Sequence, residues 1–217
     1  MRAAWIALTV LLAARGLVAE PGETLRVEYS NPGLKPATWT LVLHDDGSAH
    51  FHSDGEGAPL GGIEIAPGPV DRDFRVSTAF AGRIFGTVHS RGDLRDVKCE
   101  SHMKVAFQGW KKLAYTGPAG NGGCEFNYSK DKDVQALGES FVAVAATVLE
   151  GARLELLLQH DRLGLDQEMQ FIEEGMSDGR LQQAGAIRET LEKLENDPGV
   201  MERVRRRAHQ LLTRWDK

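Results

Sequence analysis

The chain has 217 residues, 41% of them hydrophobic and 26% charged, with a formal net charge of -5. That length and apolar content suit one mixed domain or two small lobes around a real buried core, which excludes a mini-protein that depends on disulfides or metal to fold. The acidic balance disfavours non-specific nucleic-acid binding, and no nucleic-acid partner is expected.

Residues 1–19 carry Arg2, an apolar run from Ala3 to Ala14, and the small residue Ala19 before Glu20. This is the pattern of a secretory signal cleaved near Ala19. The run is about 12 residues, against roughly 20 for a bilayer span, so a retained anchor is not expected and no later stretch is long enough to cross. Loss of Arg2 and Arg15 with this segment takes the formal charge from -5 to -7. Export places the cysteines, Cys99 and Cys124, in an oxidising compartment, where a disulfide between them is the expected state.

The run from Leu25 to Tyr29 alternates apolar and polar residues, as a half-buried strand does. Trp39–His44, Asp45-Asp46-Gly47 and Ser48–His52 read as a hairpin. A three-residue loop with Gly47 left-handed pairs Leu43 with Ala49 and Leu41 with Phe51, and it keeps the apolar residues on one face; a two-residue turn would mix the faces. His44, His50 and His52 then share the opposite face, and imidazoles grouped in this way suit zinc. Beyond the hairpin, Ile63–Ile65 and Val70–Val76 read as further strands. Ser77 or Thr78 caps a helix to about Ser90 whose inner stripe is Phe80, Ile84 and Val88, with Gly92 as its stop. Arg91-Gly92-Asp93 follows in a loop, where an adhesion role competes with that simple job for Gly92.

Between the cysteines, Met103–Phe107 and Lys111–Tyr115 alternate as strands, and Cys124–Tyr128 completes an expected three-stranded meander closed by the disulfide. A metal site using His102 with the two cysteines, or a redox pair, are the other readings of Cys99 and Cys124. Trp110, Lys111, Lys112 and Tyr115 form a candidate aromatic-basic patch. Asn127-Tyr128-Ser129 is a glycosylation acceptor in a eukaryotic secretory pathway.

From Asp131 the apolar period changes to that of a helix. Val134, Leu137, Phe141, Val144, Val148 and Ala152 mark one long helix to about His160, weakened at Gly138 and Gly151. Further helices are expected over 165–176 and 180–195, and a last one opening with Asp197 as cap and Pro198 in its first position, with Val204, Ala208, Leu211 and Trp215 inside. Arg203, Arg205, Arg206 and Arg207 give this last helix a basic surface, a candidate docking patch for another protein or for anionic headgroups. The span from Ala186 to Leu212 resembles a single HEAT-type helical hairpin. Stacked architectures need about three such units and no neighbouring repeat is present, so the resemblance carries no function.

These elements predict an α+β fold: an antiparallel sheet of about five to seven strands with one covering helix, then a C-terminal bundle of about four helices. The expected division is 1–19 signal, 20–129 strand-rich and 130–217 helical. No nucleophile–base pair, Gly-x-Ser-x-Gly or His-Glu-x-x-His is present. The primary functional expectation is an exported, non-catalytic binding or protein-interaction module of the cell envelope or extracellular space, without a cofactor. The alternative is a zinc-binding protein or metal-dependent hydrolase built on His44, His50 and His52.

Overall fold

A computed structural model describes residues 22–57 and 67–215. The proposed signal segment and the Ile63–Ile65 strand lie outside the described residues, as does the side chain of Trp215. Six strands, β1 (Thr24–Ser30), β2 (Thr38–His44), β3 (Ser48–Ser53), β4 (Val70–Arg75), β5 (Trp110–Gly117) and β6 (Gly120–Phe126), form one antiparallel sheet in the order β4-β3-β2-β1-β5-β6.

The hydrophobic pattern fixes the register. Leu25, Val27 and Tyr29 lie on one face of β1, opposite Leu43, Leu41 and Trp39 of β2, and all six are buried. The β2–β3 hairpin pairs Leu43 with Ala49 and Leu41 with Phe51, with Gly47 at φ +82, so the three-residue loop is the one used. Slipping by one residue would turn Phe51 to solvent and His50 inward.

Helix α1 (Thr78–Ser90) covers the inner face of the sheet and buries Phe80, Ile84 and Val88; Ser77 caps it by accepting the Phe80 N–H. The 29-residue α2 (Lys132–His160) shares that face through its first half, where Val134, Leu137, Phe141, Val144 and Val148 enter the sheet core. Its second half contributes Leu154 and Leu157 to a separate core shared with α3 (Leu165–Asp178), α4 (Arg188–Asn196) and α5 (Glu202–Trp215). At about 1.5 Å per residue α2 is some 43 Å long, enough to serve both cores without a break at Gly151.

Three expected elements differ. Met103–Phe107 forms no strand: β5 already has β1 on one side and β6 on the other, leaving no edge to pair with. The meander is therefore a hairpin, and its last strand, β6, runs over Gly120–Phe126 and not over Cys124–Tyr128. The third C-terminal helix starts at Arg188, not at 180. Thr147 of α2 holds the preceding backbone instead, its hydroxyl accepting the Gln182 N–H at 3.0 Å and donating to the Gln182 carbonyl at 2.7 Å, while Gln183 sits at φ +59. Finally, Asp197-Pro198 makes a turn, not a helix start. The Val200 N–H donates to the Asp197 carbonyl, the Gly199 N–H donates to the Asp197 side chain, and α5 begins at Glu202.

Among the described residues no helix is long and apolar enough to cross a membrane.

Candidate functional sites

Strand alternation places His44, His50 and His52 together on the outer sheet face, but their side chains do not form a common ligand set. The neighbouring strand decides this. Register sets His50 opposite Asp73 and His52 opposite Asp71. His50 Nδ1 lies 2.8 Å from Asp73 Oδ1, His52 Nδ1 lies 2.8 Å from Asp71 Oδ2, and His52 Nε2 lies 3.2 Å from Asp54. His44 turns to Thr24, 3.3 Å away. Hydrogen bonding to the Asp71 carboxylate raises the pKa of His52 against the opposing effect of burial, and Asp54 adds to the rise. Among the described residues no group of three or more His, Cys, Asp or Glu is arranged to hold a metal ion. The histidine face is thus a ladder of exposed His–Asp pairs.

The aromatic-basic patch is divided between the two faces of β5. Trp110 and Lys112 point outward, whereas Lys111 and Tyr115 are buried beside Leu113, because adjacent strand residues face opposite ways. Lys112 pairs with Glu28 at 3.6 Å. Lys111 donates from Nζ to the carbonyls of Gly109 and Asn127, each at 3.0 Å, and lies 5.5 Å from the centroid of Phe126. Burial lowers its pKa, with Glu139 and Glu100 opposing the shift. It forms part of the wall of a cleft of about 420 Å³ with Gln108, Glu139, Asp178 and Arg180. With two carbonyls engaged, the ammonium acts as a structural clamp between β5 and the turn after β6.

The basic surface of α5 is a seam between helices. Arg203 pairs with Asp166 at 3.0 Å, Arg207 with Glu173 at 2.5 Å, and Arg205 with Glu202. Asp166 and Glu173 belong to α3, so two of the four arginines tie α5 to its neighbour, and Arg206 remains exposed. The Arg-Gly-Asp tripeptide is similarly occupied: Arg91 pairs with Asp131 and Asp133, and Asp93 with His89 and Arg95.

Cys99 and Cys124 are joined, with Cα atoms 5.9 Å apart, and no free cysteine remains. The bond fastens the irregular segment 99–109 to β6. Glu100 fastens it again: its carboxylate accepts the Asn127 N–H at 2.7 Å and the His102 N–H at 2.9 Å. Burial pushes the Glu100 pKa up, but these backbone donors together hold it below its ordinary value. Ser101 donates to the Tyr128 carbonyl, Gln108 donates from its backbone N–H to Asn127 Oδ1, and Tyr29 donates to the Gln108 carbonyl at 2.9 Å.

This tethered segment nevertheless presents Met103 and Phe107, each about half exposed, and leads into equally exposed Trp110. Ser30 pairs with Trp110 and Lys111 with Phe126, so the loop after β1 leaves from the same end of the sheet, carrying exposed Leu34. Four of the six exposed large apolar side chains among the described residues thus lie at one end of the sheet; Leu163 and Phe171 are the others. Of these four only Trp110 was a candidate on sequence grounds. Alternation disguised Met103 and Phe107 as strand residues, and nothing in the local pattern marks Leu34.

No known family model and no curated protein matches this chain.

Proposed function

We propose that the protein is an extracytoplasmic, non-catalytic binding module that engages its partner through the sheet end formed by residues 31–37 and 99–110. The observation that carries this reading is the exposure of Leu34, Met103, Phe107 and Trp110 on segments held in place by a disulfide and by hydrogen bonds. Exposed apolar residues scattered singly need no explanation, whereas a group of them fixed at one site marks an interaction surface. A preordered loop also loses less conformational entropy on binding than a floppy one. The location rests on the N-terminal signal pattern with cleavage near Ala19 and on the disulfide, which suits an oxidising compartment.

A photo-crosslinking amino acid placed at Phe107 tests the reading in cells of the source. Adducts formed at position 107 and not at the remote exposed position Leu163 support it. Equal labelling at the two positions overturns it.

A further inference from the structure

We infer that the occupant of this sheet end is an anionic bilayer surface, with the apolar side chains entering the interface and lysines meeting the headgroups. The inference rests on the reading of residues 31–37 and 99–110 as the binding surface. Each loop there presents an apolar residue beside an exposed lysine: Leu34 with Lys35, and Met103 with Lys104. Lys130, also exposed, follows β6 at the same end. None of these three lysines forms an ion pair with a described residue, in contrast to Lys112. The stretch from Lys98 to Lys112 holds one acid, and of its four lysines Lys98 and Lys104 are exposed, whereas Lys111 is buried and Lys112 is paired with Glu28. That acid, Glu100, directs its carboxylate to backbone N–H groups, so it does little to cancel the lysines at the surface.

The exposed Lys35, Lys98, Lys104 and Lys130 outnumber the exposed acids Glu56 and Glu125 at this end and so point to an anionic partner, and their distribution points to lipid. The cores of protein interfaces are depleted in lysine. Here an exposed lysine stands beside Leu34 on one loop and beside Met103 on the other. A bilayer interface accepts that pattern: Trp and Phe settle at headgroup depth, lysine stems lie along the apolar zone, and their ammonium groups reach the anionic lipid. The fixed backbone suits insertion, because the loop's N–H and carbonyl groups are tied to Glu100, Asn127 and Tyr29 and are not all left seeking water at the interface.

Co-sedimentation of the full chain with vesicles of phosphatidylcholine, with and without phosphatidylglycerol, tests the inference. All proteins compared share the same N-terminus, so differences among them report the sheet end. The wild type is expected to bind the mixed vesicles more tightly, with binding weakened by high salt. Lys35→Gln with Lys104→Gln, and separately Met103→Ser with Phe107→Ser, should each weaken that binding roughly tenfold, while Leu163→Ser leaves it unchanged. Far-ultraviolet circular dichroism confirms that each variant is folded. Binding indifferent to phosphatidylglycerol, or folded patch variants that bind as the wild type does, overturns the inference. A protein adduct at Phe107 without vesicle binding overturns the lipid partner and leaves the binding-module reading standing; no specific adduct and no vesicle binding overturns both.

Discussion

The Glu100 carboxylate accepts the backbone N–H of Asn127 at 2.7 Å, and through this contact the segment after Cys99 is fastened to the end of β6. One side chain thereby satisfies donors on both sides of the exposed loop, since His102 donates to the same carboxylate. Replacing Glu100 with Ala removes two charge-assisted hydrogen bonds and leaves the partly buried Asn127 N–H unpaired, a loss of about 1–3 kcal/mol. Because the folded pKa lies below the ordinary value of 4.5, this stabilisation is present above that value and is lost as pH falls through the folded pKa. Thermal melts of wild type and Glu100→Gln across the acid range should converge at the lowest pH; parallel curves would contradict the assignment.

Reduction of the Cys99–Cys124 bond releases a loop of sequence separation 25. The chain-entropy relation gives a destabilisation of about 3–4 kcal/mol. Because β5 and β6 remain paired by their own register, the reduced protein is expected to stay folded at room temperature. Denaturant titration with and without reductant, and of the Cys99→Ser, Cys124→Ser double variant, measures the difference.

On the outer sheet face, His52 should titrate above its ordinary value of 6.5 because Asp71, and then Asp54, favour its charged form. A raised folded pKa stabilises the fold below the unfolded value, and the effect is lost as pH rises through the folded one. Nuclear magnetic resonance titration of the imidazole should show a downward shift in Asp71→Asn. An unchanged His52 midpoint in that variant would rule out the pairing as its cause.

Helix glycines separate into two kinds. A Cβ added at Gly151 would overlap Ile187 Cγ2, and one at Gly138 would lie 2.8 Å from Lys111 Cδ and 2.9 Å from Phe126 Cζ. At Gly86 of α1 the same atom meets nothing within 4 Å. Gly151→Ala is expected to destabilise by about 1–3 kcal/mol through overpacking. Gly86→Ala should stabilise by up to about 1 kcal/mol through helix propensity alone. Chemical denaturation of both variants gives the signs directly.

The apolar alternation of Leu25, Val27 and Tyr29, the hairpin register at Gly47 and the four-residue stripe of α1 were legible because each is a local rule. Side-chain period and turn geometry specify them before any distant contact forms. The change from period 2 to period 3.6 at Asp131 announced α2 in the same way. What the local pattern could not supply was the identity of neighbours. Met103–Phe107 alternates as a strand does, yet both edges of β5 are taken, so it remains a loop and leaves Met103 and Phe107 exposed. His50 and His52 share a face as the hairpin requires, but the pairing of β3 with β4 supplies aspartate partners to both. The arginines of α5 look like a free basic patch until α3 is packed beside them and provides Asp166 and Glu173. Sequence by itself determined β1, the β2–β3 hairpin, α1 and α2 and which face of each is apolar, because those follow from bonds and contacts within a few residues. Only the tertiary structure decided which polar groups were matched and which apolar ones stayed uncovered, because that depends on residues far apart in the chain that meet only in the folded protein.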